Sequence, residues 1–451
     1  MPTPMPIPAP VLQVMNTLSR AGFHAYLVGG CVRDHLRGLE PHDYDMTTDA
    51  TPTEMREVFA GYKCIETGLK HGTVTVLLDG EPIEITTYRL DGGYTDHRHP
   101  EGVTFTRSLT EDLARRDFTV NAIAYSPEEG YIDPFHGLED LDNCILRAVG
   151  DPDRRFEEDA LRILRAVRFA SVTGFEIEEQ TKRALMRKRD LLTHISAERI
   201  REELTKLLTG EHVLDVLLTY PDVLAVPLPE IAPMVTCGQN SVYHIYTVWE
   251  HTARVVAGVP ATPVLRWSAL LHDVAKPPCK LVGKDGRDHF YGHPKVSAEM
   301  ADAILHRLKF DNKTREKIVT LVYHHDDRTP AIRSRALRLL SKVGYELFWD
   351  LIDITIADSR EQNPEHPTVQ SAIVTANKLR ELGMELQREG APYRLSDLAI
   401  SGADLLAIGY PAGKEVGETL SYFLREVMED RITNDREELL SRAAKRLSKR
   451  K

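Results

Sequence analysis

The stretch GGCVRDHLRGLEPHDYDMTTD, residues 29–49, carries the strongest fold signal in the first part of this chain. Two aspartates, Asp43 and Asp45, stand one residue apart in a segment that we predict to be a strand over residues 43–48. Alternate residues of a strand point to the same face, so the two carboxylates would lie side by side. A cation would offset their repulsion, and Mg²⁺ takes oxygen ligands of this kind. The stretch therefore predicts a magnesium site, with a solvated acidic turn as the simpler alternative.

A hairpin further along the chain supplies a third carboxylate. VTVLL (74–78) and PIEITTYR (82–89) are β-rich runs separated by turn residues. Glu84 is flanked by two isoleucines that would face the core, which places Glu84 on the opposite face. If the strands are neighbours, Glu84 joins Asp43 and Asp45. Carboxylates in such a group hold two metal ions that promote an in-line phosphoryl displacement.

The glycines and the arginine of the opening stretch suit a phosphate site. Gly29 and Gly30 let the backbone approach a phosphate closely, and Arg33 supplies a charged donor. Together with the carboxylates, these residues point to phosphoryl or nucleotidyl transfer.

Composition indicates a soluble protein of several domains. The 451 residues are too many for one core, and no apolar run reaches the ~18 residues of a membrane helix. The N-terminus lacks the pattern of a signal peptide, and the five scattered cysteines form no CxxC motif, which favours reduced thiols in the cytoplasm. The net charge of −11 argues only weakly against nucleic-acid binding, since a local basic surface suffices.

Five motifs carry a family resemblance. In order they read GGCVRD, HDYD, EITTYR, RRDFTVNAIAY and EEDALRILRAVRF, over roughly residues 25–210. The set resembles the class II tRNA nucleotidyltransferases of the polymerase-β superfamily, which include CCA-adding enzymes and bacterial poly(A) polymerases. His42 stands where the family commonly has lysine, which affects a phosphate contact and leaves the metal ligands in place.

The resemblance implies a fold and an activity. The expected fold class is α+β, with a mixed-sheet head of the polymerase-β type followed by an all-α body. The expected reaction is template-independent addition or repair of the 3′-terminal CCA of tRNA from CTP and ATP, with two Mg²⁺ ions and release of pyrophosphate. Partners would be tRNA, CTP and ATP, with no membrane. The expected domains are a catalytic head (1–145), a neck that recognises the base and binds RNA (146–225), an HD domain (226–370) and a helical tail that contacts tRNA (371–451).

By the same resemblance, the stretch 115–125 binds the sugar and phosphates of the nucleotide. Arg116, Asp117 and Asn121 take these roles, and Arg165 joins the nucleotide site. Asp117 would accept a hydrogen bond from a ribose hydroxyl, which favours NTP over dNTP. The structural alternative is that Asp117 caps a helix or pairs with Arg116.

The segment 157–170 is expected to be one helix that selects the base. Asp159 and Arg162 would share a face at i, i+3, with Glu158 holding the guanidinium. Asp159 only accepts and Arg162 only donates, so together they match the amino group and ring nitrogen of cytosine or adenine and mispair with uracil or guanine. Spacing alone favours an ordinary salt-bridged helix, and the ordered motifs reverse that preference.

Two further features follow from the resemblance. Arg199 and Glu203 match the family's neck motif and are interpreted as a brace between helices. A polar loop over residues 91–102 disfavours an enzyme that adds only CC, and it does not separate CCA addition from A-only addition.

The C-terminal half carries a histidine–aspartate pattern that is similar to the HD phosphohydrolases. The implied ligands of a transition metal or Mg²⁺ are His251, His272, Asp273 and Asp358, with Asp353 as an alternative to the last. Further histidines, His293, His324 and His325, would face a phosphate.

Two other functions remain open on the sequence. One keeps the chemistry and changes the product, as an A-only tRNA-adding enzyme or a poly(A) polymerase. The other assigns the activity to the HD half, as a phosphohydrolase of cyclic or 2′-nucleotides with the head as an RNA-binding module.

Overall fold

The computed structural model describes most of the chain. The described residues are 3–41, 43–65, 72–78, 80–91 and 103–449. They form two compact units, residues 1–229 and 230–451. His42 and the predicted loop beyond Asp91 lie outside the described residues.

A seven-stranded mixed sheet organises the first unit. Its strands stand in the order β3–β4–β5–β2–β1–β8–β9, and a separate two-stranded sheet pairs β6 with β7. The strands are β1 (Ala25–Val28), β2 (Met46–Thr48), β3 (Lys63–Ile65), β4 (Thr73–Leu78), β5 (Glu81–Thr87), β6 (Arg89–Asp91), β7 (Val103–Phe105), β8 (Ala124–Ser126), β9 (Gly130–Ile132), β10 (Ile145–Leu146) and β11 (Glu176–Ile177). The predicted mixed-sheet head followed by helices is confirmed.

Helices cover the sheet and form the rest of the first unit. The first, α1 (Ala9–Arg20), buries Val11, Val14, Met15 and Leu18, whose spacing gives one apolar stripe. The others are α2 (Gly30–Leu36), α3 (Pro52–Val58), α4 (Leu109–Ala114), α5 (Gly137–Asp142), α6 (Pro152–Glu158), α7 (Leu161–Thr173), α8 (Glu179–Lys188), α9 (Ala197–Leu208), α10 (Val213–Thr219) and α11 (Pro221–Leu224).

The strand predicted over residues 43–48 is shorter than expected. β2 begins at Met46, so Asp43 and Asp45 precede the strand, and the alternation of a strand does not place them together. The backbone nonetheless fixes Asp45 beside β1, because Val28 N donates to Asp45 O at 3.0 Å. β1 and β2 therefore continue to interact for one residue beyond the regular strand.

The pairing of β2 with β5 brings Glu84, the third predicted carboxylate, close to Asp45. These strands are parallel, with Met46 opposite Ile85, so Asp45 and Glu84 each precede a paired residue. Met46 and Ile85 are buried in the core under one face of the sheet. Because neighbouring residues of a strand face opposite sides, Glu84 points away from that core, as predicted.

The predicted helix over residues 157–170 is in fact two helices. α6 ends at Glu158, Asp159 has extended backbone angles (φ −136°, ψ 102°), and α7 begins at Leu161. The Asp159 carboxylate accepts a hydrogen bond from Leu161 N at 3.1 Å, which satisfies a free donor at the start of α7. Asp159 and Arg162 thus do not share one continuous helix.

The second unit is almost entirely helical. Its elements are α12 (Ala232–Val235), α13 (Val248–Gly258), α14 (Pro263–Leu271), α15 (Lys276–Cys279), β12 (Leu281–Val282), β13 (Asp288–His289), α16 (His293–Arg307), α17 (Asn312–His324), α18 (Arg333–Arg360), α19 (Pro367–Glu389), α20 (Gly402–Ala407), α21 (Lys414–Met428) and α22 (Arg436–Ser448). None of the helices among the described residues is long and apolar enough to cross a membrane.

Candidate functional site

A small polar cavity of about 210 Å³ lies in the first unit, beside the start of β2 and the middle of β5. Two carboxylates and several cationic side chains share its wall. The lining residues are Val28, Asp45, Met46, Thr73, Glu84, Thr86, Arg89, Arg115 and Arg116. We name this space the head cavity. It joins two of the three predicted catalytic carboxylates with a predicted phosphate-binding arginine.

The wall of the head cavity combines two carboxylates with three arginines. Desolvation by the surrounding protein raises the pKa of Asp45, Arg116 opposes this, and the neighbouring charge of Asp43 adds to it. Asp43 is exposed and outside the lining of the head cavity. Hard carboxylate oxygens of this kind are suited to a divalent metal. Within the part of the chain that the structure describes, the compact three-ligand groups all lie in the second unit, so the head carboxylates do not form one.

The backbone conformation of residue 29 favours glycine. Its backbone angles are φ 75° and ψ −131°, in a region that other residues rarely adopt. A side-chain carbon there would lie 3.4 Å from Arg116 Nη1 and 3.9 Å from Asp45 Oδ2. The chain thus turns close to the head cavity and begins α2 at Gly30.

A hydrogen-bonded network links three of the predicted nucleotide-binding residues to α7. Arg33 Nη1 donates to Asn121 Oδ1 at 2.7 Å, and Asn121 Nδ2 donates to Asp117 Oδ1 at 3.0 Å. Arg165 donates to Asp117 Oδ2 through Nε at 2.9 Å and Nη2 at 2.6 Å. Burial alone would raise the pKa of Asp117, but Arg165 and Asn121 hold it well below its usual range. Asp117 therefore pairs with Arg165 and not with Arg116, and its Oδ1 also accepts from the backbone N of Phe118 at 2.8 Å.

Arg162 is held by acceptors from three directions. Its Nη1 contacts Glu158 Oε2 at 2.9 Å and the carbonyl of Arg155 at 3.1 Å, and its Nη2 donates to the carbonyl of Arg115 at 2.8 Å. The side chain is almost buried, so its orientation is fixed by these bonds. Glu158 holds the guanidinium as expected, and the contact with Arg115 connects α7 to the end of α4.

Two residues of α9, Arg199 and Glu203, form ion pairs with residues at α7 or just before it. Arg199 Nη2 donates to Asp159 Oδ2 at 2.9 Å. Glu203 is buried and lies 2.8 Å from Arg168 Nε and 3.8 Å from Arg165 Nη1. The brace between helices is present, but Arg199 and Glu203 each pair with α7 or its start and not with each other.

The second unit contains a buried cluster centred on Asp273, which we name the histidine cluster. His272 Nε2 lies 3.2 Å and His251 Nε2 3.7 Å from Asp273 Oδ2. On the other oxygen, Oδ1, His293 Nε2 lies at 3.3 Å and His325 Nε2 at 3.7 Å. Two groups of three potential metal ligands therefore share the carboxylate of Asp273.

Each histidine of the cluster is oriented by a backbone carbonyl. The Nδ1 atoms of His251, His272, His293 and His325 donate to the carbonyls of Glu361, Ala269, Phe290 and Val322, at 2.7 to 3.1 Å. In the neutral form of each ring, this leaves the lone pair on Nε2. All four Nε2 atoms lie within 3.7 Å of Asp273, and that of His251 also lies 3.0 Å from Asp358. Metal-binding histidines show this same arrangement. The donor set therefore fits a divalent metal.

Of the remaining predicted ligands, one lies at the histidine cluster and two lie away from it. Asp358 Oδ1 lies 3.0 Å from His251 Nε2 and is buried, whereas Asp353 pairs with Arg380 Nη2 at 2.6 Å, away from the cluster. His324 pairs with Asp327 at 2.7 Å and is not among the clustered histidines. The structure thus brings Asp358 to the cluster and leaves Asp353 and His324 outside it.

A cavity of about 870 Å³ opens on the histidine cluster. Its wall includes Asp273, His293, His325 and Asp358, with the cations Lys276 and Arg328 beside them. Lys276 Nζ lies 2.6 Å from Asp273 Oδ2 and Arg328 Nη2 3.0 Å from Asp358 Oδ2. The volume is within the range of small-molecule sites.

Two residues in or beside the head cavity were not predicted from the sequence. Arg115 lines the cavity next to Arg116, and Asp112 is fully buried and paired with both arginines. Spacing carried a signal for them, because Asp112 stands three and four residues before the arginines on a short helix. Lys276, four residues after His272, was likewise overlooked.

Family models match three parts of the chain. Residues 25–147 match the poly A polymerase head domain, and residues 174–233 match a probable RNA and SrmB-binding site of polymerase A. Residues 290–443 match tRNA nucleotidyltransferase domain 2.

Relatives match over nearly the whole chain. The CCA-adding enzyme of Lactobacillus helveticus is 37% identical over 424 residues, which cover 94% of this chain and 93% of the relative. The CCA-adding enzyme of Limosilactobacillus fermentum is 34% identical over 97% of both chains. Among solved structures, the Bacillus stearothermophilus CCA-adding enzyme in complex with CTP matches with a TM-score of 0.74 and 30% identity, over 98% of this chain and 99% of that one.

Proposed function

The chain belongs to the family of the CCA-adding enzymes, and on that premise we propose that it adds or repairs the 3′-terminal CCA of tRNA, from CTP and ATP and with release of pyrophosphate. The observation that carries the proposal is the head cavity, where Asp45, Glu84 and Arg116 face one another. Carboxylates beside arginines suit a metal-bound triphosphate.

The carboxylates of the head are proposed to hold the metal. Asp43 and Asp45 would be its ligands, and Glu84 completes the acidic side of the head cavity. Mg²⁺ is the expected ion, because all the donors are carboxylate oxygens and the ligand is a triphosphate. When bound, it would lower the pKa of the attacking 3′-hydroxyl and neutralise the triphosphate.

The nucleotide's phosphates and sugar are proposed to lie along the glycine turn and the network behind it. Gly29 and Gly30 leave space for the phosphates, and Arg116 and Arg33 supply positive charge. Asn121 and Asp117, fixed by Arg33 and Arg165, would contact the ribose.

The junction between α6 and α7 is proposed to choose the base. Asp159 would accept from the exocyclic amino group and Arg162 would donate to the ring nitrogen, a pattern that C and A share. Glu158 and two backbone carbonyls hold Arg162, while Arg199 holds Asp159. Fixed hydrogen-bonding groups reject uracil and guanine because acceptor would face acceptor and donor would face donor.

Extension of tRNA with each nucleotide alone tests the product. On tRNA lacking CCA, CTP alone is expected to add two residues, and ATP alone is expected to extend only tRNA that already ends in CC. Extension of CC-ended tRNA by ATP, without any addition of C to the shorter tRNA, would identify an A-only enzyme. A long A tail on either substrate would identify a poly(A) polymerase.

The histidine cluster favours a second function in the same chain. We propose that His251, His272, Asp273 and Asp358 hold a divalent metal and that the adjoining cavity hydrolyses a phosphoester, with cyclic or 2′-nucleotides as the candidate substrates. Burial alone would raise the pKa of Asp273, but His272 and Lys276 hold it well below its usual range, so this carboxylate is ionised. A metal bound there would supply an activated water for hydrolysis.

Replacing His272 with alanine is expected to remove the metal of the second unit. Loss of one ligand typically weakens a metal site by about tenfold or more, so metal content after dialysis should fall to less than half of the wild-type value. Elemental analysis of the purified protein measures this directly. His324→Ala is the matched control, since His324 lies outside the cluster.

Activity measurements on two variants distinguish the two proposed functions. His272→Ala should lose hydrolysis of a 2′,3′-cyclic nucleotide and keep addition to tRNA, and Asp43→Ala should do the reverse. A His272→Ala protein with wild-type metal content and hydrolysis would rule out this second function.

A cytoplasmic location is proposed from the thiols. The five cysteines are present as thiols, which suits a reducing compartment.

A further inference from the structure

A buried carboxylate connects three elements around the head cavity. Asp112, on α4, has no exposed surface. Its Oδ1 accepts from Arg115 Nε at 2.9 Å, from Arg115 Nη2 at 2.7 Å and from the backbone N of Arg89 at 3.3 Å. Its Oδ2 accepts from Thr47 Oγ1 at 3.1 Å and lies 3.5 Å from Arg116 Nη2. The side chain thereby joins β2, β6 and the arginines that end α4.

The two arginines held by Asp112 belong to the wall of the head cavity. Both line it together with Asp45 and Glu84. Nη2 of Arg116 faces Asp112, its Nη1 lies beside Gly29, and the charge of Asp45 also acts on Arg116. The guanidinium of Arg116 thus stands between a buried structural carboxylate and a proposed catalytic one.

The negative charge of Asp112 offsets the positive charges of Arg115 and Arg116. Desolvation lowers the pKa of Arg116, and the adjacent guanidinium of Arg115 lowers it further. Burial alone would raise the pKa of Asp112, but Arg115 and Arg116 outweigh it, so the carboxylate is ionised. Besides Asp112, the carboxylates of Asp117 and Asp45 act on Arg116 electrostatically. Of these two, Asp45 lies on the cavity wall, where pairing with Arg116 would occupy the oxygens proposed to hold the metal.

We propose that Asp112 is a positioning residue of the nucleotide site, which keeps Arg115 and Arg116 directed at the triphosphate and away from Asp45. The inference rests on the proposed function of the head. It assigns Asp112 no contact with substrate, since its oxygens are used by Thr47 and by the arginines.

Steady-state kinetics of Asp112→Asn tests the proposal, because asparagine keeps the shape and removes the charge. The KM for CTP and ATP is expected to rise about tenfold or more, with the KM for tRNA within about twofold of wild type. Asp112→Glu should recover most of the loss. A purely structural role would lower thermal stability without separating the two KM values.

Asp140→Asn is the matched control. Asp140 is a buried carboxylate of the same unit that accepts from Thr119 Oγ1 at 2.7 Å and from Arg147 Nε at 3.0 Å, and it lies outside the lining of the head cavity. It should lose comparable stability and keep the wild-type KM for CTP. An unchanged KM in Asp112→Asn, or an equal rise in Asp140→Asn, would overturn the proposal.

A second variant and a direct binding measurement extend the test of Asp112. If Asp112→Asn does not fold, Thr47→Val removes one donor to Asp112. This variant should also raise the KM for CTP, by a smaller factor, and an unchanged KM would count against the proposal.

Calorimetric titration with CTP measures nucleotide binding without tRNA. Weaker CTP binding in the variant supports the role of Asp112 even if wild-type protein fails to extend tRNA, an outcome that would refute only the proposed function.

Discussion

Asp45→Ala is expected to abolish incorporation of both CMP and AMP while tRNA still binds. The side chain lines the head cavity together with Glu84, and its loss removes a proposed ligand of the metal that would activate the hydroxyl and neutralise the triphosphate. A decrease in kcat of about a thousandfold or more corresponds to roughly 4 kcal/mol of lost transition-state stabilisation. Incorporation of labelled nucleotide into tRNA lacking CCA measures the effect.

The control for this variant comes from the same segment. Glu40 is an exposed carboxylate five residues before Asp45, and Glu40→Ala should keep wild-type incorporation. Filter binding should give Asp45→Ala a tRNA affinity within about twofold of wild type, because phosphate contacts from basic residues dominate such affinities. Wild-type incorporation by Asp45→Ala would remove the head cavity from the chemistry.

Asp159→Ala is expected to change which base is added. Removal of the acceptor lowers kcat/KM for CTP and ATP and leaves that for UTP and GTP almost unchanged. Because a buried polar group left without its partner costs about 1–3 kcal/mol, the preference for CTP over UTP should fall by at least about tenfold. Single-nucleotide incorporation with all four NTPs, each measured alone, gives these ratios.

Arg199→Ala separates base contact from neck stability. It breaks the same ion pair as Asp159→Ala but leaves the carboxylate in place. We expect lower thermal stability and a smaller loss of the CTP-over-UTP preference than in Asp159→Ala, because the accepting carboxylate remains but loses the partner that orients it. If Arg199→Ala loses the preference as fully as Asp159→Ala, Asp159 acts by bracing the neck and not by contact with the base.

The alternation of β5 could be predicted because the signal is local. Glu84 stands between two isoleucines of a hairpin whose turn lies a few residues away, so its face follows from the sequence alone. The proximity of Glu84 to Asp45 could not be predicted from the local sequence. That proximity depends on the parallel register of β2 with β5, two strands separated by β3 and β4 in the chain.

The break at Asp159 shows where periodicity fails. Apolar spacing continues through residues 157–170, so a single helix was the natural prediction. The carboxylate of Asp159 ends that pattern by accepting from Leu161 N and pairing with Arg199, forty residues away. A local hydrogen bond thus competes with the helix, as short acidic side chains commonly do.

The histidine cluster was predictable as a set and not as a geometry. The sequence supplied His251, His272 and Asp273 and two candidates for the fourth position. It could not distinguish Asp358 from Asp353, since both lie on α18 five residues apart and only the packing of that helix decides which faces His251. For the same reason, adjacent His324 and His325 have different partners.

The most direct test of the central claim is the sequence of the 3′ ends that the wild-type protein makes on tRNA lacking CCA, with all four NTPs present together. Base choice by fixed protein groups predicts that nearly every product ends in CCA and that addition then stops. Products that carry U or G, or that continue as a long A tail, would contradict it.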